Sequence, residues 1–294
     1  MENILTVHSR TDMQLPRKSS LVNFSLLSEI VCPAAFRSFS IKYVCSGLEE
    51  YEVSGYHYQI KSGQYLLANH FAEGMVRIDK PVKGICIDIS PDILSEVVAS
   101  RIGPDTMHLD LALDKFFTTS DFLDAKYNAS DTQLGRAIRA FERATSNAAD
   151  IPELFTKELY YSLAESIVAD HIPLFRQLQS IRKIKMATRK DLLRRVTMGK
   201  EYLDAQFLLP LEIADVAREC NLSEYHFFRT FRQVFSISPY QYLIARRLDF
   251  AKDLLREGHD RISDIAYLTG YSDVFAFSKS FKKYTGSTPT QFGK

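Results

Sequence analysis

Near the C-terminus of this 294-residue chain, two short segments carry side chains suited to reading a patterned polyanion. Tyr225, Phe228, Arg229 and Arg232 recur at spacings of three and four, which places them on one face of a helix. Asp273, Val274, Phe275, Lys279 and Lys282 form the matching set further on. A guanidinium can donate two parallel hydrogen bonds to a guanine edge, and Val274 and Phe275 could pack on thymine methyls in a major groove. The ammonium groups of Lys279 and Lys282 suit phosphates. Ser223 and Ser272 stand just ahead of the stripes and are expected to cap the two helices and join the same interface. Taken singly, each residue is equally well explained by packing or by a solvated charge, so its meaning depends on the element that holds it.

That element is an internal repeat. Val216-Ala217 matches Ile265-Ala266, and Ser223 matches Ser272, at an offset of 49. After one inserted residue the offset is 50: Phe227 to Phe231 matches Phe277 to Phe281, and Pro239 to Tyr242 matches Pro289 to Phe292. Each copy reads as two helices around a tight turn, with Asn221 or Gly270 where a left-handed backbone is needed. Phe227, Phe231 and Val234, and Phe277, Phe281 and Tyr284, share the face opposite the stripes and are expected in the core. Ser238-Pro239 should start, and Glu257-Gly258 should end, a connecting helix roughly 28 Å long. Its expected buried line is Tyr240, Ile244, Leu248, Ala251 and Leu255. Such a rod could hold two reading helices near the ~34 Å repeat of successive major-groove turns of double-stranded DNA.

Charge is divided in the same sense. The net charge of +1 is the balance of −7 before Arg176 and +8 from Arg176 onward, so only the second half is disposed to meet a polyanion. The Lys- and Arg-rich run from Gln177 to Lys190 reads as the connection, with domains assigned as 1–180 and 181–294.

The first half reads as strands and then helices. Phe39, Ile41 and Tyr43 alternate, glycines punctuate the chain to Gly84, and Lys83 to Ile89 gives a further strand, together implying a small antiparallel β domain. Tyr56 to Lys61, Ser62-Gly63 and Gln64 to Ala68 read as a hairpin. Ser90-Pro91 should open a helix through Leu94, Val97 and Val98. Helical spacing returns at Leu134, Ile138 and Phe141, then at Leu154, Phe155, Leu159, Tyr160 and Leu163. The expected class is α+β, with an all-α second domain of two helix-turn-helix units joined by a long helix.

Other classes find little support. At 46% hydrophobic and 25% charged residues the composition is that of a globular protein. Neither a signal peptide nor a membrane-spanning run is evident, so a cytoplasmic, membrane-free location is expected. Cys32, Cys45, Cys86 and Cys220 lack metal or disulfide spacing and should pack as small hydrophobes. His57, His70 and Glu73 come nearest to a metal set, but there is no His-x-His pair. Neither a metal nor a cofactor is expected, and no nucleophile triad, phosphate loop or paired acids mark an enzyme. Phe36, Phe39, Tyr43, Tyr51, Tyr56, Tyr58, Tyr65 and Phe71 could line an apolar pocket, though aromatics at strand spacing are more often core.

Residues 195–292 resemble the C-terminal domain of the AraC/XylS family of bacterial transcription regulators. The matching pieces include Val216-Ala217, Leu222-Ser223, Phe227 to Phe231, Arg246-Arg247-Leu248, Asp264-Ile265-Ala266, Gly270 to Asp273, Phe277-Ser278-Lys279 and Thr288-Pro289. The resemblance implies DNA binding by both second helices, with base or phosphate contacts at Tyr225, Phe228, Arg229, Val274, Phe275 and Lys279. It also implies a cupin-like first domain that senses a small-molecule effector and forms a homodimer, and contact with RNA polymerase. A constitutive regulator whose first domain only dimerises, and a metal-dependent cupin enzyme fused to a DNA-binding domain, are the alternatives. Ser236 stands where the family's first unit usually has glycine, and Phe292-Gly293 replaces an aromatic-arginine ending.

Overall fold

The computed structural model describes residues 4–7, 20–100, 107–147, 156–181, 185–258 and 261–293. The chain divides into two compact units, Met1–Phe175 and Arg176–Lys294. Leu154 and Phe155, expected on a helix, lie outside the described residues.

The first unit is built on two sheets. Strands β1 (Ile4–Val7), β2 (Leu21–Leu27), β4 (Phe39–Ser46), β7 (Gln64–Ala68), β9 (Val82–Ile89) and β10 (Ala125–Asn128) make a six-stranded sheet in the order β1-β2-β9-β4-β7-β10. Strands β3 (Ile30–Pro33), β5 (Leu48–Val53), β6 (Tyr56–Lys61) and β8 (Gly74–Ile78) make a four-stranded sheet ordered β3-β8-β5-β6. Pairing is antiparallel except between β1 and β2, which run parallel. Val44, Val53, Ile60, Leu66 and Val76 fill much of the space between the sheets.

The expected hairpin at Ser62-Gly63 is a turn between sheets. β6 pairs with β5, whereas β7 pairs with β4 and β10. Burial explains the difference. β6 alternates, exposing His57, Gln59 and Lys61, while Tyr65, Leu66, Leu67 and Ala68 are buried on both faces of β7. An alternating strand suits the half-solvated sheet and a continuous apolar run suits the covered one. The true hairpin joins β5 to β6 through Ser54 and Gly55, at φ 52° and 80°. Two successive positive φ angles match the right-handed twist of the paired strands.

Helices α1 (Pro91–Ser100), α2 (Met107–Thr118), α3 (Gln133–Asn147) and α4 (Lys157–Ser180) follow the strands. The Ser90 hydroxyl accepts from the Asp92 amide at 3.3 Å, as its capping role requires. Phe39 packs against Phe117 and Phe122, with ring centroids 6.1 and 5.1 Å apart, so the second face of the larger sheet is covered by aromatic side chains. Of the eight aromatics considered as pocket lining, Phe39, Tyr43 and Tyr65 are core and Phe71 is about half exposed. Only Tyr51 among them borders the cavity found between the sheets. His57, His70 and Glu73 are exposed, and among the described residues no group of metal-ligating side chains comes together. Cys32 and Cys220 are buried, whereas Cys45 and Cys86 are partly buried. Among the described residues no helix is long and apolar enough to cross a membrane.

In the second unit the basic run taken as a connection is largely helical: α4 extends to Ser180, and α5 occupies Met186–Gln206. Helices α6 (Ile213–Glu219) and α7 (Glu224–Phe235) form the first repeat, and α8 (Pro239–Arg256) follows. Helices α9 (Ile262–Leu268) and α10 (Val274–Thr285) form the second repeat, and α11 (Pro289–Phe292) ends the described chain. At about 1.5 Å per residue, the 18 residues of α8 span about 27 Å.

One buried group gives the first unit a pH signature. His171 is 1% exposed; its Nδ1–H donates to the Ile167 carbonyl at 2.8 Å, so Nε2 accepts from the Tyr127 hydroxyl at 3.1 Å. Burial pushes its pKa down from 6.5 to about 4, keeping the folded imidazole neutral while the unfolded one protonates. Stability is therefore full above about pH 6.5 and is lost as pH falls toward 4, by about 3 kcal/mol in total. Unfolding midpoints measured from pH 7 to 4 should show that loss in the wild type and a flatter profile in His171→Gln.

Candidate nucleic-acid interface

The two repeats build their turns with the same hydrogen bond. The Leu222 amide donates to the Ala217 carbonyl at 3.0 Å, and the Tyr271 amide donates to the Ala266 carbonyl at 2.9 Å. This bond reaches back five residues and closes each first helix, which requires a left-handed residue: Asn221 at φ 52° and Gly270 at φ 79°. A Cβ at Gly270 would also lie 2.9 Å from the Arg247 guanidinium. That guanidinium is already held, through Nε to the Phe207 carbonyl at 2.7 Å and through Nη2 to the Leu209 carbonyl at 2.9 Å.

The insertion between copies lies at a different residue from the one expected. Ser223 caps α7, accepting from the His226 amide at 3.3 Å, but the cap of α10 is Asp273, which accepts from the Ala276 amide at 2.7 Å. Ser272 is thus the extra residue, exposed and ahead of the cap, and the offset becomes 50 at Ser223 and Asp273. Asp273, expected on the reading face, is exposed, and its carboxylate caps the first turn of α10.

Beneath the stripes, Phe227, Phe231, Phe277 and Phe281 are fully buried, and Val234 is 6% exposed. Tyr284 departs from its expected core position: it is 45% exposed, its hydroxyl donates to Asp249 at 3.0 Å, and Lys252 lies over its ring. Tyr240 likewise is exposed, and Leu243 replaces it on the buried line of α8. Phe231 meets Tyr242 edge-on at 5.8 Å, as Phe281 meets Phe292 at 5.4 Å. Phe292, the aromatic just ahead of the departure from the family ending at Gly293, is therefore a packing residue, with Arg256 over its ring.

The repeat includes a third helix that sequence reading missed. Val196, Gly199 and Leu203 on α5 have the spacing of Leu248, Ala251 and Leu255 on α8, and all six are buried. α5 packs on α6 and α7, and α8 packs on α9 and α10. The signal was the small residue between two large ones. A Cβ at Gly199 would come within 2.4 Å of the Phe227 ring, so α5 and α7 touch at the closest approach their side chains allow. Asp204 adds a polar tie, accepting from Tyr242 at 2.6 Å and pairing with Lys200 at 2.9 Å and Arg246 at 2.8 Å. Burial works to raise its pKa, but the hydrogen bonds from Tyr242 and Lys200 outweigh that and hold the carboxyl below its ordinary value.

With the core thus occupied, the other faces of α7 and α10 are left to solvent. Tyr225 is 69% exposed and Phe275 80%; Phe228 and Val274 are each about two-fifths exposed. Arg229, Arg232, Lys279 and Lys282 are exposed, and among the described residues none forms an ion pair. Ser223 is exposed at the head of α7, and His226, not singled out from sequence, stands exposed beside Tyr225. The geometry yields two short helices, each fixed from below by a phenylalanine pair and presenting unpaired cations with aromatic or aliphatic surface.

Residues 216–294 match the protein family described as a helix-turn-helix domain. The chain is 30% identical over 91 residues to the probable transcriptional regulator LumQ of Photobacterium leiognathi, covering 31% of this chain and 37% of that protein. It is 32% identical over 99 residues to the Msm operon regulatory protein of Streptococcus mutans, covering 34% and 36%. A solved structure of ToxT from Vibrio cholerae aligns over 94% of this chain and 98% of that one, at 15% identity and a TM-score of 0.37. The chain thus spans about a third of the length of the curated relatives it matches. The C-terminal unit is a helix-turn-helix domain of the AraC type, with two copies of the motif.

The left-handed cap of α7 supplies a test. Ser236 holds φ 64° where the second copy has Gly286 at φ 85°. A side chain in this region costs on the order of 1 kcal/mol, so Ser236→Gly should raise the unfolding free energy by up to about that amount. Asp273→Ala should lower it by about 1 kcal/mol through loss of the α10 cap. Chemical denaturation of the full chain measures both.

Proposed function

We propose that this protein is a sequence-specific transcription regulator that binds double-stranded DNA through α7 and α10. The observation that carries this reading is the pair of exposed, cation-bearing stripes on the second helices of a duplicated helix-turn-helix motif. Arg229 is the base reader of the first helix, with Arg232 on phosphate and Tyr225 and Phe228 on base and sugar surface. In the second helix, Val274 and Phe275 contact thymine methyls, while Lys279 and Lys282 neutralise phosphate. Asp273 contributes by fixing the start of α10. The connector of about 27 Å suits helices entering successive major-groove turns.

The first unit, in this reading, binds a small-molecule effector and joins two copies of the chain. Its support is the β-then-α organisation and the cavity between the sheets. Two reading helices on one frame, doubled by dimerisation, gain affinity through effective concentration.

Selection from random duplex DNA with the full chain should enrich a site whose two elements lie about one helical turn apart. Arg229→Ala should weaken binding to that site by about 1–3 kcal/mol and relax the preference at one base pair. Lys279→Ala should weaken binding to all sequences alike and reduce the salt dependence by about one ion. Selection of no common sequence, or an unchanged affinity of Arg229→Ala for the selected site, would count against the reading.

A further inference from the structure

The larger sheet turns a polar face toward the space between the sheets. Register sets β2, β9 and β4 side by side so that Asn23, Cys86 and Lys42 stand in one row, with Asp88 and Ser40 paired in the next. Residues two apart on a strand share a face. Asn23, Lys42, Cys86 and Asp88 accordingly line one cavity of about 100 Å³, and Glu49 joins them from β5.

A thiol and an ammonium are thereby held against each other. Lys42 Nζ donates to Cys86 Sγ at 2.8 Å, a length usual for an N–H···O bond and short for the larger sulfur atom. A thiol is a weak acceptor, so the approach is imposed by strand register and not by the strength of the hydrogen bond. The carboxylates of Asp88 and Glu49 act on the ammonium through their charge, but their hydrogen bonds come from Ser40 and, at 2.8 Å, from Tyr51. Cys45 offers a contrast, since its sulfur meets Glu142 instead of an amine.

A small oxidant has room at this pair. Cys86 is only partly buried, and the cavity beside it has the bulk of about three waters. Asn23 Oδ1, buried and without a partner among the described residues, is a free acceptor in the same row for the O–H of a peroxide. Burial pushes the Cys86 thiol up to about 11 against the opposing pull of Lys42, so it is a slow nucleophile that answers to sustained peroxide and not to traces.

We propose that Cys86 and Lys42 form a redox modification site, at which hydrogen peroxide joins the two side chains through one oxygen atom as an N–O–S bridge between β9 and β4. One peroxide oxidises the thiol to a sulfenic acid: the S–O bond forms, the O–O bond breaks and water leaves. A second peroxide displaces the sulfenic hydroxyl as water and leaves S–O–OH. Lys42, having passed one ammonium proton to water, attacks the sulfur-bound oxygen as a neutral amine. The N–O bond forms, the O–O bond breaks, and the departing hydroxide takes the proton shed by nitrogen. Sulfur and nitrogen have each lost two electrons, and the remaining peroxide oxygen has become water. The bridge exchanges a cation for a neutral covalent tie across two strands, and excess dithiothreitol reduces it to thiol, amine and water. The inference is independent of DNA reading and of any effector.

Peptide mass analysis of the full chain, treated with excess hydrogen peroxide and digested without reductant, tests it. The segments holding Lys42 and Cys86 should appear as one linked peptide, uncut after Lys42, with one oxygen more and two hydrogens fewer than the separate pair. Dithiothreitol should return both free peptides. Diffraction from the oxidised chain should show the oxygen between nitrogen and sulfur. Lys42→Gln should lose the link and carry Cys86 on to a sulfinic acid that dithiothreitol does not reverse, since the sulfenic acid then lacks its amine. Cys86→Ser should lose the link, and Cys45→Ser should keep it. If a variant does not fold, the wild-type mass and its reversal decide. A disulfide from Cys86 to Cys32, sulfinic acid at Cys86 of the wild type, an unmodified Cys86, or oxygen borne terminally on sulfur would each overturn the proposal.

Discussion

In the C-terminal unit everything depends on the burial of two phenylalanines four residues apart beneath each exposed stripe. Phe227 with Phe231, and Phe277 with Phe281, are fully inaccessible, and they fix the rotation of α7 and α10 about their axes. A helix so anchored has one face committed, and the residues opposite must meet solvent whatever their chemistry. Exposure of Phe275 and Tyr225 is thus the geometric counterpart of that burial. Shifting either pair by one position would turn the stripe by about 100° and bury charge.

The anchors in turn need a close neighbour. α5 supplies it for the first copy through Gly199, where the absence of a side chain lets the Phe227 ring sit against the helix, and α8 supplies it for the second through Ala251. The structural unit is therefore three helices, and α8 belongs to the second of them as well as leading from the first. A connector that is also a packing surface has little freedom to bend, since its Leu248, Ala251 and Leu255 are spent on holding α9 and α10.

Much of the second unit was legible because its determinants are local. Turn residues, caps and helical spacing lie within a few positions of one another, and each acts through backbone geometry that sequence spells directly. The misplacements were local too: Ser272 looked like the cap because Asp273, one residue on, caps equally well. Tyr284 shares the spacing of Phe281, but its hydroxyl finds Asp249 outside the core. In the first unit the strands were legible and their partners less so. Alternation tells which side of a strand a residue occupies; it does not tell which sheet the strand joins, as β6 and β7 show. The polar cavity escaped notice for the same reason, since Asn23, Lys42, Glu49 and Asp88 become neighbours only once strands distant in sequence are set in register.

That dependence on register also orders events on the ribosome. β2 is bound to β9 through pairs such as Leu21 with Asp88, and the far edge is closed by β10, where Ala125 meets Leu67. The nascent sheet therefore cannot complete itself until residue 128 has left the exit tunnel, and its unpaired edges are open to misassembly for as long as that takes. The helical unit has no such wait. Its contacts are short-range, so each three-helix segment can close soon after it emerges, and the unit made second needs less time to fold than the unit made first.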